Sequence, residues 1–334
     1  MSTDDIRDGV QLTNLDQPLF DGAGASKRQF VDYLDAVADR MLPGLVDRPL
    51  SVVRIRPGQE AFMQKNVPKY TPDWIRTVPV WAEASRREIH YALCNDRPTL
   101  IWFANQRAVE YHPTLYRVDQ PDRPTHLVLD IDPPEGETFT VALQAALLVR
   151  QALAELSMTA ALKTSGAKGV HVIVPLTGAT TEEVAAATRA LAVRAERLDP
   201  DLATTAFVRE EREGKVFLDS TRAGGATVVA AYSPRLRPGV PVSFPLDWDD
   251  LDGVQPGNFT VHTVLELMGS ADPWAERLPA PQSLNPVLVE EGRQIPIARV
   301  AAMHAGKRRR AQARRESAEA EAAGTIDPSP EAPA

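Results

Sequence analysis

Residues 126–136 read HLVLDIDPPEG, and this short stretch decides how the rest of the chain is read. Side chains alternate faces in an extended strand, so Leu127, Leu129 and Ile131 point one way and Val128, Asp130 and Asp132 the other. At about 3.3 Å of rise per residue the two carboxylates stand roughly 6–7 Å apart at Cα. Like charges that close repel unless a cation lies between them. Pro133 and Pro134 cannot extend a hydrogen-bonded ladder, so the strand stops there and the pair lies at its open end. Two readings are open: a divalent-metal site, or two aspartates in a solvated strand-to-turn junction.

Working outward, TFTVALQAALLVRQALAEL (138–156) has the composition and apolar period of a helix. ALKTS (161–165) is short and extended, 166–169 make a turn, and VHVIVPL (170–176) is a second apolar strand. TTEEVAAATRALAVRAERL (180–198) opens with Thr180 and Glu183 at capping-box spacing. VRE (208–210), KVFLDS (215–220) and ATVVAAYS (226–233) read as further strands. The order strand, helix, strand, strand, helix, strand is the βαββαβ arrangement of a ferredoxin-like sheet. The expected fold class is therefore α/β (α+β), with this sheet as an open platform.

Two more constellations sit on that platform. In KTSGAKGVH (163–171), Gly166 and Gly169 permit a tight turn whose backbone N–H groups can face an anion. Ser165 and Lys168 add a hydroxyl and a cation, and His171 points away from Val170 and Val172. A polyphosphate cradle is one reading. A Gly-rich hairpin with a surface lysine and a hydrogen-bonded core histidine is the other. It is not a Walker A loop, because the G-x-x-x-x-G-K-[ST] order is absent. In KVFLD (215–219), Val216 and Leu218 face the core while Phe217 and Asp219 face the other side. Asp219 thus adds a third carboxylate, which is what a two-metal site requires, with Mg²⁺ or Mn²⁺ ions about 3.5–4 Å apart. Each motif is weak alone; jointly they favour phosphate chemistry.

The remaining sequence bounds this reading. At 334 residues, 43% hydrophobic and 25% charged, the chain has ordinary globular composition and suffices for one elaborate domain of two lobes. Its single cysteine, Cys94, excludes an intrachain disulfide framework and a cysteine-based structural zinc site, and suits a reducing cytoplasm. The acidic start MSTDDIRDG has no signal-peptide character, and no apolar run approaches the roughly 18 residues of a membrane span. A cytoplasmic monomer without membrane association is expected. The net charge of −8 argues against wholesale wrapping of nucleic acid, although acidic metal ligands contribute to it. SKRQFVDYLDAVADRML (26–42) reads as a helix capped by Ser26, and PLSVVRI (49–55), IHYALC (89–94) and TLIWFA (99–104) as strands. A short helix is expected over 260–268, and Trp74, Trp81 and Trp248 are expected to pack. Residues 1–303 then form a single domain, with an N-terminal lobe at about 10–120 and a catalytic lobe at about 121–303. The basic run KRRRAQARR (307–315) opens a solvated tail.

Residues about 10–280 also resemble the polymerase domain of bacterial ATP-dependent DNA ligase D, a branch of the archaeo-eukaryotic primase superfamily. The resemblance rests, in order, on LTNLDQPLF, YLDAVADRMLPGLVDRPLSVVRIRPG, FMQKNVPKYTPDWI, ANQRAVEYHP, LVLDIDPP, TSGAKGVHVIVPL and VFLDSTRAGGATVVAAYSPRLRPGVPVSFPLDWDDL. It implies a two-lobed primase-polymerase fold that adds nucleotides from NTPs, ribonucleotides before deoxyribonucleotides, to 3′ ends at templated gaps or broken DNA, with two Mn²⁺ or Mg²⁺ ions. By this match Asp130, Asp132 and Asp219 are the metal ligands, and Ser165, Lys168, His171 and Arg235 hold the triphosphate. Phe62 matches an aromatic near the templating base, and Lys65 and Lys27 match lysines that bind DNA phosphates. Read without the resemblance, Phe62 is equally a core residue, both lysines are surface residues, and His112 is either structural or in touch with the nucleotide.

The departures are specific. Gln17 stands where the family has a lysine, Met63 where a second aromatic is common, and STRAGG (220–225) replaces a segment that is one residue longer. With no K-x-D-G ligase motif, the chain is similar to the stand-alone members, among them Primase-Polymerase C, which implies a separate DNA ligase as partner and a nucleoid-associated place in the cell. A two-metal nuclease or phosphohydrolase, and a catalytically decayed DNA-end-binding adaptor, are the rival readings.

Overall fold

The computed structural model describes residues 5–297 apart from 57, 84–85 and 223–226, so the basic run 307–315 and the expected boundary near 303 lie outside the described residues. The N-terminal half starts with a small hairpin, β1 (Asp5–Arg7) and β2 (Val10–Leu12). Helix α1 (Lys27–Met41) begins where the sequence places it, because Ser26 and Gln29 satisfy each other's backbone N–H groups in a capping box. Strands β3 (Pro49–Arg54), β4 (Phe62–Gln64), β5 (Thr77–Ala82) and β6 (Arg87–Leu93) form a sheet in the order β4-β3-β6-β5.

One expectation fails here: residues 99–104 are not a strand but belong to helix α2 (Arg97–Asn105). Asp96 caps it by accepting from the Thr99 N–H, and Thr99 through Ala104 are all buried. A short apolar run buried on every side carries no periodicity, so sequence cannot distinguish helix from strand. Strand β7 (Ala108–Pro113) follows and pairs with β3. Trp74 and Trp81, expected to pack, are 49% and 55% exposed. Trp81 lies on β5, which ends the sheet and leaves one side uncovered. Trp248 does pack, donating its indole N–H to the Ala160 carbonyl at 2.8 Å.

The second half contains β8 (His126–Asp132), α3 (Phe139–Ala154), β9 (Ala161–Thr164), β10 (Val170–Pro175), α4 (Thr181–Leu198), β11 (Ala203–Thr204), β12 (Val216–Asp219) and β13 (Pro245–Leu246). Their sheet runs β11-β12-β8-β10-β9-β13. The inner four strands are mutually antiparallel, with β8 between β10 and β12, which is the ferredoxin-like order that the βαββαβ pattern predicts. Leu127, Leu129 and Ile131 on β8, Val170, Val172 and Val174 on β10, and Val216 and Leu218 on β12 share one core with α3 and α4. Burying side chains of this size contributes about 1.5–3 kcal/mol each, which fixes the facing of every strand.

Two other expected strands are absent. Residues 208–210 lead into a 3₁₀ turn at Arg209–Glu211. Residues 227–233 make a lone bridge from Thr227 to Thr114 and then bond outward, Val228 N–H to Pro113 O, Ala230 N–H to Tyr111 O and Tyr232 N–H to Ser243 O. Their apolar composition serves the seam between the two sheets instead of a ladder. The helix expected over 260–268 is confined to α5 (Val264–Met268), because Thr263 Oγ1 donates to the Asn258 carbonyl and keeps 260–263 in a turn. Helices α6 (Pro273–Arg277) and α7 (Pro286–Gln294) complete the described chain. A single continuous core spans both sheets, and across it the Tyr33 hydroxyl donates to the Tyr232 carbonyl at 2.8 Å.

Candidate active site

Strand register assembles the site. Asp130 lies opposite His171 on one side and Asp219 on the other, and His171 lies opposite Lys163. Directly opposed residues share a sheet face. Asp219, Asp130, His171 and Lys163 therefore form a row across β12, β8, β10 and β9, on the face that α3 and α4 leave open. Asp132 stands on the same face at the mouth of β8.

The row is hydrogen-bonded along part of its length. His171 Nε2 lies 3.2 Å from Asp130 Oδ1, and Lys163 Nζ lies 2.8 Å from His171 Nδ1. Burial pushes the Asp130 carboxyl up, but His171 and Arg222 outweigh it and hold it below the usual carboxylate range. Asp132 is pushed up by burial and by the charges of Asp130 and Asp219. Burial, with Lys163 alongside, pushes His171 down to about 4, so the ring is neutral at neutral pH. An ionised Asp130 can only accept, so the single ring proton belongs on Nε2 and Nδ1 accepts from Lys163.

Beside the row lies the Gly-rich turn. Ser165 Oγ accepts from the N–H groups of Ala167 and Gly169, each at 3.2 Å. Gly169 is required there because a Cβ would overlap the Ile131 carbonyl oxygen of β8. Lys168 Nζ donates to the Pro133 carbonyl at 2.9 Å, and Arg235 Nη1 donates to the Ser165 carbonyl. Ser165, Lys168, His171, Arg235 and Arg237 line a cavity of about 200 Å³ together with Asp130 and Asp132. Sequence reasoning missed Arg237, Lys163 and Glu110. Glu110 holds Arg235 at 3.1 Å, accepts the Leu236 N–H at 2.9 Å and sits 2.9 Å from His112 Nε2. The alternation of RLR (235–237) was a legible signal for Arg237, and a lysine inside an apolar strand was one for Lys163. Glu110 left none.

The donor set suits a hard divalent cation, being three carboxylates at adjacent strand ends. Among the described residues Asp132 has no hydrogen-bond or ion-pair partner, and its neighbours' negative charge opposes its ionisation, as a cation would relieve. Arg222 now neutralises the other two. Its Nε and Nη2 each lie 3.1 Å from Asp130 Oδ2, and Nε lies 3.5 Å from Asp219 Oδ2. Asp219 Oδ1 meanwhile accepts from the backbone and hydroxyl of Thr221. No three ligating groups therefore close on one point among the described residues, and an ion would have to take the guanidinium's place.

The other sequence-selected residues lie on the first sheet and α1. Phe62 on β4 is half-buried, with the guanidinium carbons of Arg54 and Arg56 5.9 and 5.2 Å from its ring centroid, so it is not a core residue. Lys65 is exposed. Lys27 is only 2% exposed, contrary to its reading as a surface residue; its Nζ donates to Thr13 O and Asn105 Oδ1, each at 2.6 Å, and burial lowers it to about 8. Gln17 accepts from Arg107 at 2.7 Å nearby. His112, through Glu110, belongs with the cavity.

A family model described as the primase-polymerase domain of LigD matches residues 26–274. The chain belongs to this family. Among its relatives, the bifunctional non-homologous end joining protein LigD of Bacillus subtilis is 33% identical over 77% of this chain and 42% of its own length. The multifunctional LigD of Pseudomonas aeruginosa is 31% identical over 80% of this chain and 33% of its own. The chain thus spans less than half of these LigD proteins. The solved polymerase domain of Mycobacterium tuberculosis ligase D in complex with DNA superposes with a TM-score of 0.73 at 31% identity, covering 80% of this chain and 97% of that one. The fold is accordingly that of the archaeo-eukaryotic primase type.

Proposed function

We propose that this protein is a metal-dependent, template-directed nucleotidyltransferase that fills short gaps or extends broken ends during DNA end joining, with ribonucleotides preferred. One observation carries the reading: a carboxylate pair and a cationic cradle of Lys168, Arg235 and Arg237 open into the same cavity. A nucleoside triphosphate needs both, since its phosphates require fixed positive charge and its α-phosphorus must face the attacking primer 3′-hydroxyl.

In this reading Ser165, Lys168, His171 and Arg235, with Arg237, bind and orient the triphosphate. Asp130, Asp132 and Asp219 hold two Mn²⁺ or Mg²⁺ ions, which supply activation of the 3′-hydroxyl and neutralisation of the departing pyrophosphate. Phe62, flanked by Arg54 and Arg56, offers a stacking surface for the templating base, a contact worth about 1–3 kcal/mol. Exposed Lys65 would bind a DNA phosphate directly, Lys27 would do so only by giving up its bonds to Thr13 and Asn105, and a separate ligase seals the product. Among the described residues no helix is long and apolar enough to cross a membrane.

The test is extension of a labelled primer on a gapped duplex with Mn²⁺, comparing NTPs with dNTPs. Templated addition that favours NTPs and vanishes in Asp130→Ala/Asp132→Ala is expected. A shortened primer would instead indicate a nuclease, and DNA binding without either product an adaptor.

A further inference from the structure

Lys163 plays no part in the reading above, yet it ends the cross-strand row. It is 1% exposed, on β9, and meets two groups: Ser243 Oγ at 2.6 Å and His171 Nδ1 at 2.8 Å. Ser243 gives its own proton to the Thr164 carbonyl at 2.6 Å, so it can only accept from the lysine. Burying an amine this deeply without a carboxylate against it is costly, so its N–H groups have to be satisfied by these two acceptors. Whether charged or neutral, the amine retains hydrogens to donate.

We propose that Lys163 is a positioning residue that fixes the tautomer of His171. By donating to Nδ1 it keeps the ring proton on Nε2, at the cavity wall, where Asp130 and a phosphate oxygen of the nucleotide share it. Without that donor the neutral ring can carry its proton on Nδ1. Nε2 then turns a lone pair toward an ionised carboxylate and toward the anionic ligand, and both contacts become repulsive. The ring's second nitrogen is thus controlled from behind, as in the outer contacts of ligating histidines. The inference rests on the cavity being a triphosphate site, and the experiment separates the two.

Lys163→Met keeps the length and removes the donor; Lys163→Gln keeps a donor and removes the charge. In wild type, ring ¹⁵N NMR of His171 is expected to show the Nε2–H tautomer alone. Lys163→Met should mix the tautomers and raise KM for ATP opposite a templating thymine by about ten-fold or more, with kcat changed far less. Lys163→Gln should restore both. A wild-type tautomer in Lys163→Met, or Lys163→Gln as impaired as Lys163→Met, would overturn the role. Should Lys163→Met fail to fold, the wild-type spectrum still decides, because a ring that carries its proton on Nδ1, in whole or in part, would overturn the role. If wild type adds no nucleotide, the proposed function fails while the NMR result still judges Lys163.

Discussion

Glu110 shows how one residue couples the site to stability. Burial pushes its carboxyl up, but His112, Arg235 and the Leu236 N–H outweigh that and bring it to about 2, against an ordinary 4.5. A folded value below the unfolded one stabilises above pH 4.5, and that contribution is lost as pH falls toward 2. Glu110→Gln is therefore expected to lower stability at neutral pH by up to about 3 kcal/mol and to flatten its decline across that window, read from urea melts at several pH values. Arg222 acts in the opposite direction. Its guanidinium and a divalent ion claim the same oxygens of Asp130 and Asp219. Removing one cation should favour the other, so Arg222→Ala is expected to bind Mn²⁺ several-fold more tightly in calorimetric titration of the protein without nucleotide. Equal or weaker binding would show that the ion sits elsewhere. Neither residue was marked by a motif, because beside a near neighbour each takes a partner from a distant segment, Glu110 from Arg235 and Leu236 and Arg222 from Asp130.

At the scale of elements, two glycines mark where backbones touch. A Cβ at Gly169 would overlap the Ile131 carbonyl and force β10 away from β8, while a Cβ at Gly292 would overlap the Ala186 carbonyl and force α7 off α4. Both alanine variants should lose about 1–3 kcal/mol in denaturant melts, the usual cost of overpacking. Their effects on catalysis should differ. Gly169→Ala displaces His171 from Asp130 and should abolish most primer extension even where the protein stays folded, whereas Gly292→Ala should retain it at low temperature. Equal activity of the two folded variants would show that the cross-strand row tolerates displacement. Element types were legible where a pattern was long or capped, as for α1, α3 and α4. They were not where burial was complete, at α2, or where a strand-like segment bonds to β7 and Ser243 without forming a ladder, at 227–233.

The molecule as a whole is held by one core that runs from α1 through both sheets, so the lobes inferred from sequence do not own separate cores. Calorimetry is accordingly expected to give one transition with equal calorimetric and van't Hoff enthalpies; two resolved transitions would show lobes that unfold independently. The sequence by itself determined the facing of the catalytic strands, because alternation is a property of the extended backbone, and burying Leu127, Leu129 and Ile131 leaves Asp130 and Asp132 no other side. It also determined the βαββαβ order, since the apolar periods of α3 and α4 and the Thr180/Glu183 capping box of α4 are local. Only the tertiary structure decided which residues meet. Register places Asp219 and His171 on either side of Asp130 and puts Lys163 behind the histidine, while chain return brings Arg222 to Asp130 and Arg235 to Glu110. Those pairings are set by hydrogen bonds and charge between segments up to 126 residues apart, such as Glu110 and Leu236, which no local pattern encodes.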